Sequence, residues 1–97
     1  MPPKGNDSDA TGVQRLLHIL GYKHLRARLV RGSVIVESGP SDDPEQRLRL
    51  SKIGADTWRV DVASSSGRWQ RTPIAGPRGN VIAELHQSLP WLLQPLR

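Results

Sequence analysis

The sequence predicts an α+β domain, a five-stranded and mainly antiparallel meander sheet with an N-terminal and a C-terminal helix packed on one face. Three observations predict it. Apolar residues near both ends recur at helical spacing, the middle of the chain alternates apolar and polar residues, and glycine- or proline-containing turns separate the alternating runs. Ninety-seven residues make one domain, because two cores would each be too small to stand without staples.

Residues 1–10, MPPKGNDSDA, are polar and unpatterned, and they read as a disordered tail before a folded unit over 11–97. Thr11 is a good N-cap, and Gln14 three residues on completes a capping box. Val13, Leu16, Leu17 and Leu20 then mark one helix face, with Arg15 and His18 opposite and Gly21 as terminator. In the next stretch Leu25, Ala27 and Leu29 alternate with Arg26, Arg28 and Val30, a period-two strand. Gly32-Ser33 suits a two-residue turn, and Val34 to Ser38 is the return strand. GPSDDPE, residues 39–45, is an acidic surface loop whose prolines stop strand continuation.

A second hairpin follows. Leu48 and Leu50 alternate with Arg47 and Arg49, the chain turns around Ile53-Gly54-Ala55-Asp56, and Trp58, Val60 and Val62 alternate with Arg59 and Asp61. A polar SSSG loop leads into RWQRT, where Trp69 is expected on the inward face beside Trp58 and Pro73 ends the strand. Arg68 is then expected to point outward, while Arg71 shares the parity of Trp69 and has to escape at the sheet edge. Asn80 is expected to cap the final helix, whose stripe is Val81, Ile82, Leu85 and Leu89. Pro90 should end or bend it, with Trp91, Leu92 and Leu93 packing back as an anchor.

Composition narrows the function classes. Eleven arginines and three lysines against nine acidic residues give a formal net charge of +5. The planar guanidinium fork matches phosphate and carboxylate, so the arginine bias fits a polyanionic partner, although a GC-rich coding sequence produces the same bias. With no cysteine there is neither a disulfide framework nor a thiolate zinc site, in keeping with a reducing, cytoplasmic setting. The apolar runs are only a few residues long, which predicts no membrane span. Three tryptophans, one tyrosine and no phenylalanine make a modest core, so the unit stands as a monomer or with help from a homodimer interface.

The strongest chemical signal is the sheet face away from the helices. Strand parity places Arg26, Arg28, Arg47, Arg49 and Arg59 on it, joined by Arg68, with Glu37 and Asp61 interspersed. Side chains two apart on a strand stand roughly 7 Å from one another, near the phosphate spacing of a nucleic-acid strand. The same residues also suit a solvated face that pairs its arginines with Glu37 and Asp61 across strands. A second, smaller candidate is an anion site at the start of the last helix, made by Arg78, Gly79 and Asn80. His18, His24 and His86 show no metal-ligand spacing, Asp42-Asp43-Glu45 lacks the spacing of a calcium loop, and Ser64-Ser65-Ser66 lacks the context of a nucleophile. No catalytic residue, metal site or cofactor is expected.

A first amphipathic helix ending in Gly21-Tyr22, a hairpin with a glycine turn and a final helix after a Gly/Pro loop resemble, in element order, the double-stranded-RNA-binding domain. The small mRNA-interferase toxins that share its architecture are similar in the same respect. The chain departs from both: Gly79-Asn80-Val81-Ile82 stands where the RNA-binding domain carries a lysine cluster, and Val34-Ile35-Val36 has no counterpart of the toxins' strand histidine. The resulting expectation is a small non-enzymatic binding module that contacts DNA or RNA phosphates through its arginine face. The alternative is a protein-interaction module, an adaptor, an inhibitor or an antitoxin- or phage-defence-type partner, that uses exposed tryptophan and arginine.

Overall fold

Asn6, rather than Thr11, opens the first helix. In the computed structural model, which describes residues 4–64 and 66–94, helix α1 spans Asp7–Ile19. Asp9 N donates to Asn6 Oδ1 at 3.1 Å and Asn6 N donates to Asp9 Oδ2 at 2.9 Å, so the capping box lies five residues earlier than expected. Asp7 and Asp9 in the first turn complement the helix dipole, and the early start lets Ala10 join the core. The supposed tail therefore gives residues 7–10 to the helix. Just before it, Gly5 N donates to Gly32 O at 2.7 Å, and a Cβ on Gly5 would stand 2.9 Å from Trp58 Cη2. Gln14, freed from capping, accepts from Ala27 N at 3.0 Å and covers an edge-strand donor. At the other end the Leu17 carbonyl accepts from Tyr22 N and that of His18 from Gly21 N, a Schellman closure with Gly21 at φ 101.

The strands are β1 (Arg26–Val30), β2 (Ser33–Ser38), β3 (Glu45–Gly54), β4 (Thr57–Ala63) and β5 (Trp69–Gly76). They form one antiparallel sheet in sequence order, as the alternation predicts. The first turn is Arg31-Gly32, with φ 53 and 81, one position earlier than Gly32-Ser33. Two successive positive φ angles match the right-handed twist of the flanking strands. Helix α2 runs Arg78–Ser88 from an N-cap at Pro77, so Asn80 lies inside it and caps nothing. A 3₁₀ turn, Pro90–Leu92, follows.

Both helices pack on the same sheet face. Val34, Val36, Leu48, Leu50, Trp58 and Val60 from the sheet meet Val13 and Leu17 of α1 and Val81, Ile82 and Leu85 of α2, all buried in one cluster. Of the expected stripes Val13, Leu17, Val81, Ile82 and Leu85 are buried, with Leu16 and Leu89 at the margins, whereas Leu20 is exposed at the end of α1. Leu93 is buried as an anchor, but Trp91 is 64% exposed and does not join the core. Among the described residues no helix is long and apolar enough to cross a membrane.

Register corrects the reading of β5. Asp61 pairs with Arg71 and Ala63 with Trp69, so Trp69 and Arg71 both lie on the outer face and Trp69 is not beneath the helices. Ile74 takes the inward place and is buried. Pro73 does not end the strand. It lies within a bulge on the edge strand, where Thr72 Oγ1 donates to Val60 O at 2.8 Å and accepts from Ile74 N. An edge bulge accommodates a residue without an N–H, which is why the strand runs on to Gly76.

Candidate nucleic-acid interface

The outer face is laid out by the ladder. One row across the sheet reads Arg28, Ile35, Arg49, Asp61, Arg71, with Arg26 and Glu37 on one side of it and Ser51, Arg59 and Ala75 on the other. Each carboxylate is held by two arginines. Glu37 Oε1 accepts from Arg28 Nε at 3.0 Å and stands 3.9 Å from Arg26 Nη2. Asp61 Oδ2 accepts from Arg49 Nη2 at 2.8 Å and Nε at 3.1 Å, while its Oδ1 is 3.6 Å from Arg59 Nε. Cross-strand pairing to Glu37 and Asp61 is therefore how this face is built.

The two charge signs lie at different depths. Glu37 and Asp61 are buried, at 5% and 2% exposure, whereas the side chains of Arg26, Arg28, Arg49 and Arg59 remain between 27% and 49% exposed. Solvent therefore meets guanidinium above a layer of sunken carboxylate. Arg71 is exposed and forms no ion pair among the described residues. Five arginines over two acids leave this face with an excess of three positive charges. Ile35 is buried on the same face, between Arg28 and Arg49, whose aliphatic stems are long enough to roof it.

Arg47 does not join them. The β2–β3 register shifts between Val36 and Glu37, so Val36 pairs with Leu48 but Glu37 pairs with Gln46, and Arg47 is the extra residue of a bulge. Simple alternation fails across that bulge, and Arg47 turns to the end of the sheet. There it donates from Nε to Ser38 Oγ at 3.2 Å, and from Nη1 to Leu92 O at 3.1 Å and Gln94 O at 2.8 Å. Burial holds its pKa below the ordinary arginine value, against the opposing influence of Glu45. Arg68 is exposed but sits in the loop before β5, so its direction follows from the turn and not from strand parity.

The smaller anion site is differently occupied. Arg78 Nη1 donates to Asp9 Oδ1 at 2.8 Å, across Gly12, and so ties α2 to α1. Gly79 and Asn80 are exposed in the first turn of α2. Arg78 and Gly79 border a surface hollow that Asp9 also lines, and Asn80 is not among its lining residues. The histidines are likewise engaged. His18 Nε2 meets Leu25 O at 2.8 Å, His24 Nε2 meets Leu93 O at 2.7 Å, and His86 Nδ1 lies 2.6 Å from the Tyr22 hydroxyl. His24 consequently faces the C-terminal segment and not Arg26 and Arg28.

Two residues of this region escaped the sequence reading. Trp69 lies on the outer face with the Arg49 guanidinium 5.1 Å from its ring centroid. Arg71 stands on the same face. The signal that finds both is Ile74: assigning the inward parity to this aliphatic residue instead of to the tryptophan puts Trp69 and Arg71 outside together. Compared with protein-family models, with curated proteins and with solved structures, the chain matches none.

Proposed function

We propose that this domain is a non-enzymatic nucleic-acid-binding module whose outer sheet face contacts phosphates. The observation that carries the reading is the layering of charge, with carboxylates buried and guanidiniums above them. A face meant only for solubility has no need to sink its acids, whereas a polyanion approaching this one meets cations first. Arg28, Arg49 and Arg71 occupy alternate strands of one row, about 10 Å apart at their backbones, a distance that long side chains adjust to a phosphate track. The absence of cysteine supports a reducing, cytoplasmic setting, where DNA and RNA are both at hand.

Affinity for short DNA and RNA as a function of salt tests it. Contact with three to five phosphates of a single strand gives a slope of log K against log salt of about −2 to −3.5. Arg71→Gln and Arg28→Gln should each flatten it by about 0.7. Arginine-to-glutamate reversal at Arg26 and Arg28 is less informative, because it would set like charges around buried Glu37. No binding at low salt, or binding indifferent to salt, sinks the reading.

A second reading, a protein-interaction module, draws on residues away from this face. Ile19 and Leu20 at the end of α1 are 73% and 37% exposed. A stoichiometric partner retained from a native lysate after nuclease treatment, and lost in Ile19→Asp, would favour it.

A further inference from the structure

One end of the arginine face opens into a cavity of about 540 Å³. Trp69 and Trp91 both line it, and Gln46, Arg47, Glu45 and Ser64 contribute its polar wall. The size is that of a small-molecule site, which is typically about 300–1,000 Å³. Three features mark it out among the described residues. It has two indole walls drawn from different elements, β5 and the 3₁₀ turn. It borders Trp69, whose ring also carries the Arg49 guanidinium, so it continues the cationic row. Its polar wall includes Arg47, buried to more than nine-tenths, whose Nη2 has no hydrogen-bond partner among the described residues.

We propose that this cavity receives an unpaired nucleobase from a single strand whose phosphates lie along the arginine face. The inference rests on the nucleic-acid reading above and narrows it from any polyanion to single-stranded DNA or RNA. A base within a duplex is stacked and paired on both sides and cannot enter a pocket at the end of a sheet. An unstacked base offers a planar π-face to indole, which is how sequence-tolerant single-strand sites hold their ligand. Gln46 carries both a donor and an acceptor, and Glu45 is an acceptor for exocyclic amino groups, so the wall can meet a base edge as well as its face. Trp91 explains itself under this assignment: at 64% exposure its ring does little for the core, and it stands where a second stacking wall is needed.

Tryptophan fluorescence with four ligands tests the assignment: a short oligothymidylate, the matching oligouridylate, an abasic strand of the same length, and a duplex. Trp58 is buried, so quenching reports chiefly on Trp69 and Trp91. The expected result is quenching by the base-bearing single strands, with affinity at least about tenfold above the abasic strand and the duplex. Trp91→Ala should lower single-strand affinity by about 5- to 150-fold and leave the salt slope unchanged, since no phosphate contact is removed. Arg71→Gln should instead flatten the slope by about 0.7, because it removes a phosphate contact. If abasic and base-bearing strands bind alike, or Trp91→Ala binds as the parent does, the base pocket is overturned and the phosphate face stands. If no nucleic acid binds at low salt, both fall. Self-association abolished by Trp91→Ala, without any effect on strand binding, would give the cavity to a second copy of this chain and overturn the proposal as well.

Discussion

Arg47 and Arg49 are separated by one residue on the same strand, yet they do different work because a bulge lies between their environments. Arg49 remains about one-third exposed and shares Asp61 with Arg59. Arg47 is buried and holds backbone carbonyls of the last turn. The identity of each residue was legible in the sequence, but not its depth, since alternation counts positions and a bulge adds one without any mark in composition. Depth also decides which residues of the face matter for stability. Asp61 is 2% exposed beneath two guanidiniums, so Asp61→Asn should destabilise the fold by about 2 kcal/mol. The loss stays well under that for a fully buried pair because Arg49 and Arg59 remain partly hydrated. Chemical denaturation checks it, and an unchanged midpoint would show that Asp61 serves charge balance alone.

Among the elements, those with strong periodicity were readable and those set by caps and turns were not. Val13 with Leu17, and Val81, Ile82 and Leu85, identify the helices unaided, because burial of an apolar stripe dominates their stability. Two capping boxes compete at the start of α1, Asn6 with Asp9 and Thr11 with Gln14, and local spacing does not rank them. What ranks them is tertiary: the earlier start buries Ala10 and frees Gln14 for the Ala27 amide. In β5 the largest apolar residue was the wrong guide to the inward face, and the smaller Ile74 was the right one. The β1–β2 turn gives a direct check on backbone preference. Arg31 holds φ 53, a conformation that costs an ordinary L-residue about 1–2 kcal/mol, whereas asparagine tolerates it better. Arg31→Asn should therefore raise the melting temperature by a few degrees, given about 4–8 °C per kcal/mol for a domain of this size. Gly32→Ala should lower it, because Gly32 is at φ 81 and an added Cβ would stand 3.0 Å from Lys4 Cβ.

For the molecule as a whole, the sheet has two differently made faces. One is sealed by α1 and α2, and the other by arginines lying over two buried carboxylates. This predicts that salt separates binding from folding. Raising it from about 50 to 200 mM should weaken strand affinity by about 15- to 130-fold, through counterion release. Thermal stability should hold or rise slightly, since screening relieves repulsion among surplus arginines and acts little on sunken pairs. A melting temperature that fell in parallel with affinity would mean that the ion pairs are surface features after all. The fastening of the last turn has a consequence of a different kind. His24 holds Leu93 O, and Arg47 holds Leu92 O and Gln94 O, so the turn is gripped entirely by its backbone carbonyls in these bonds. The side chain at position 91 takes no part in that grip. It is a letter that can be rewritten without loosening the page, and successive substitutions there would retune what the cavity prefers while the domain beneath keeps its stability.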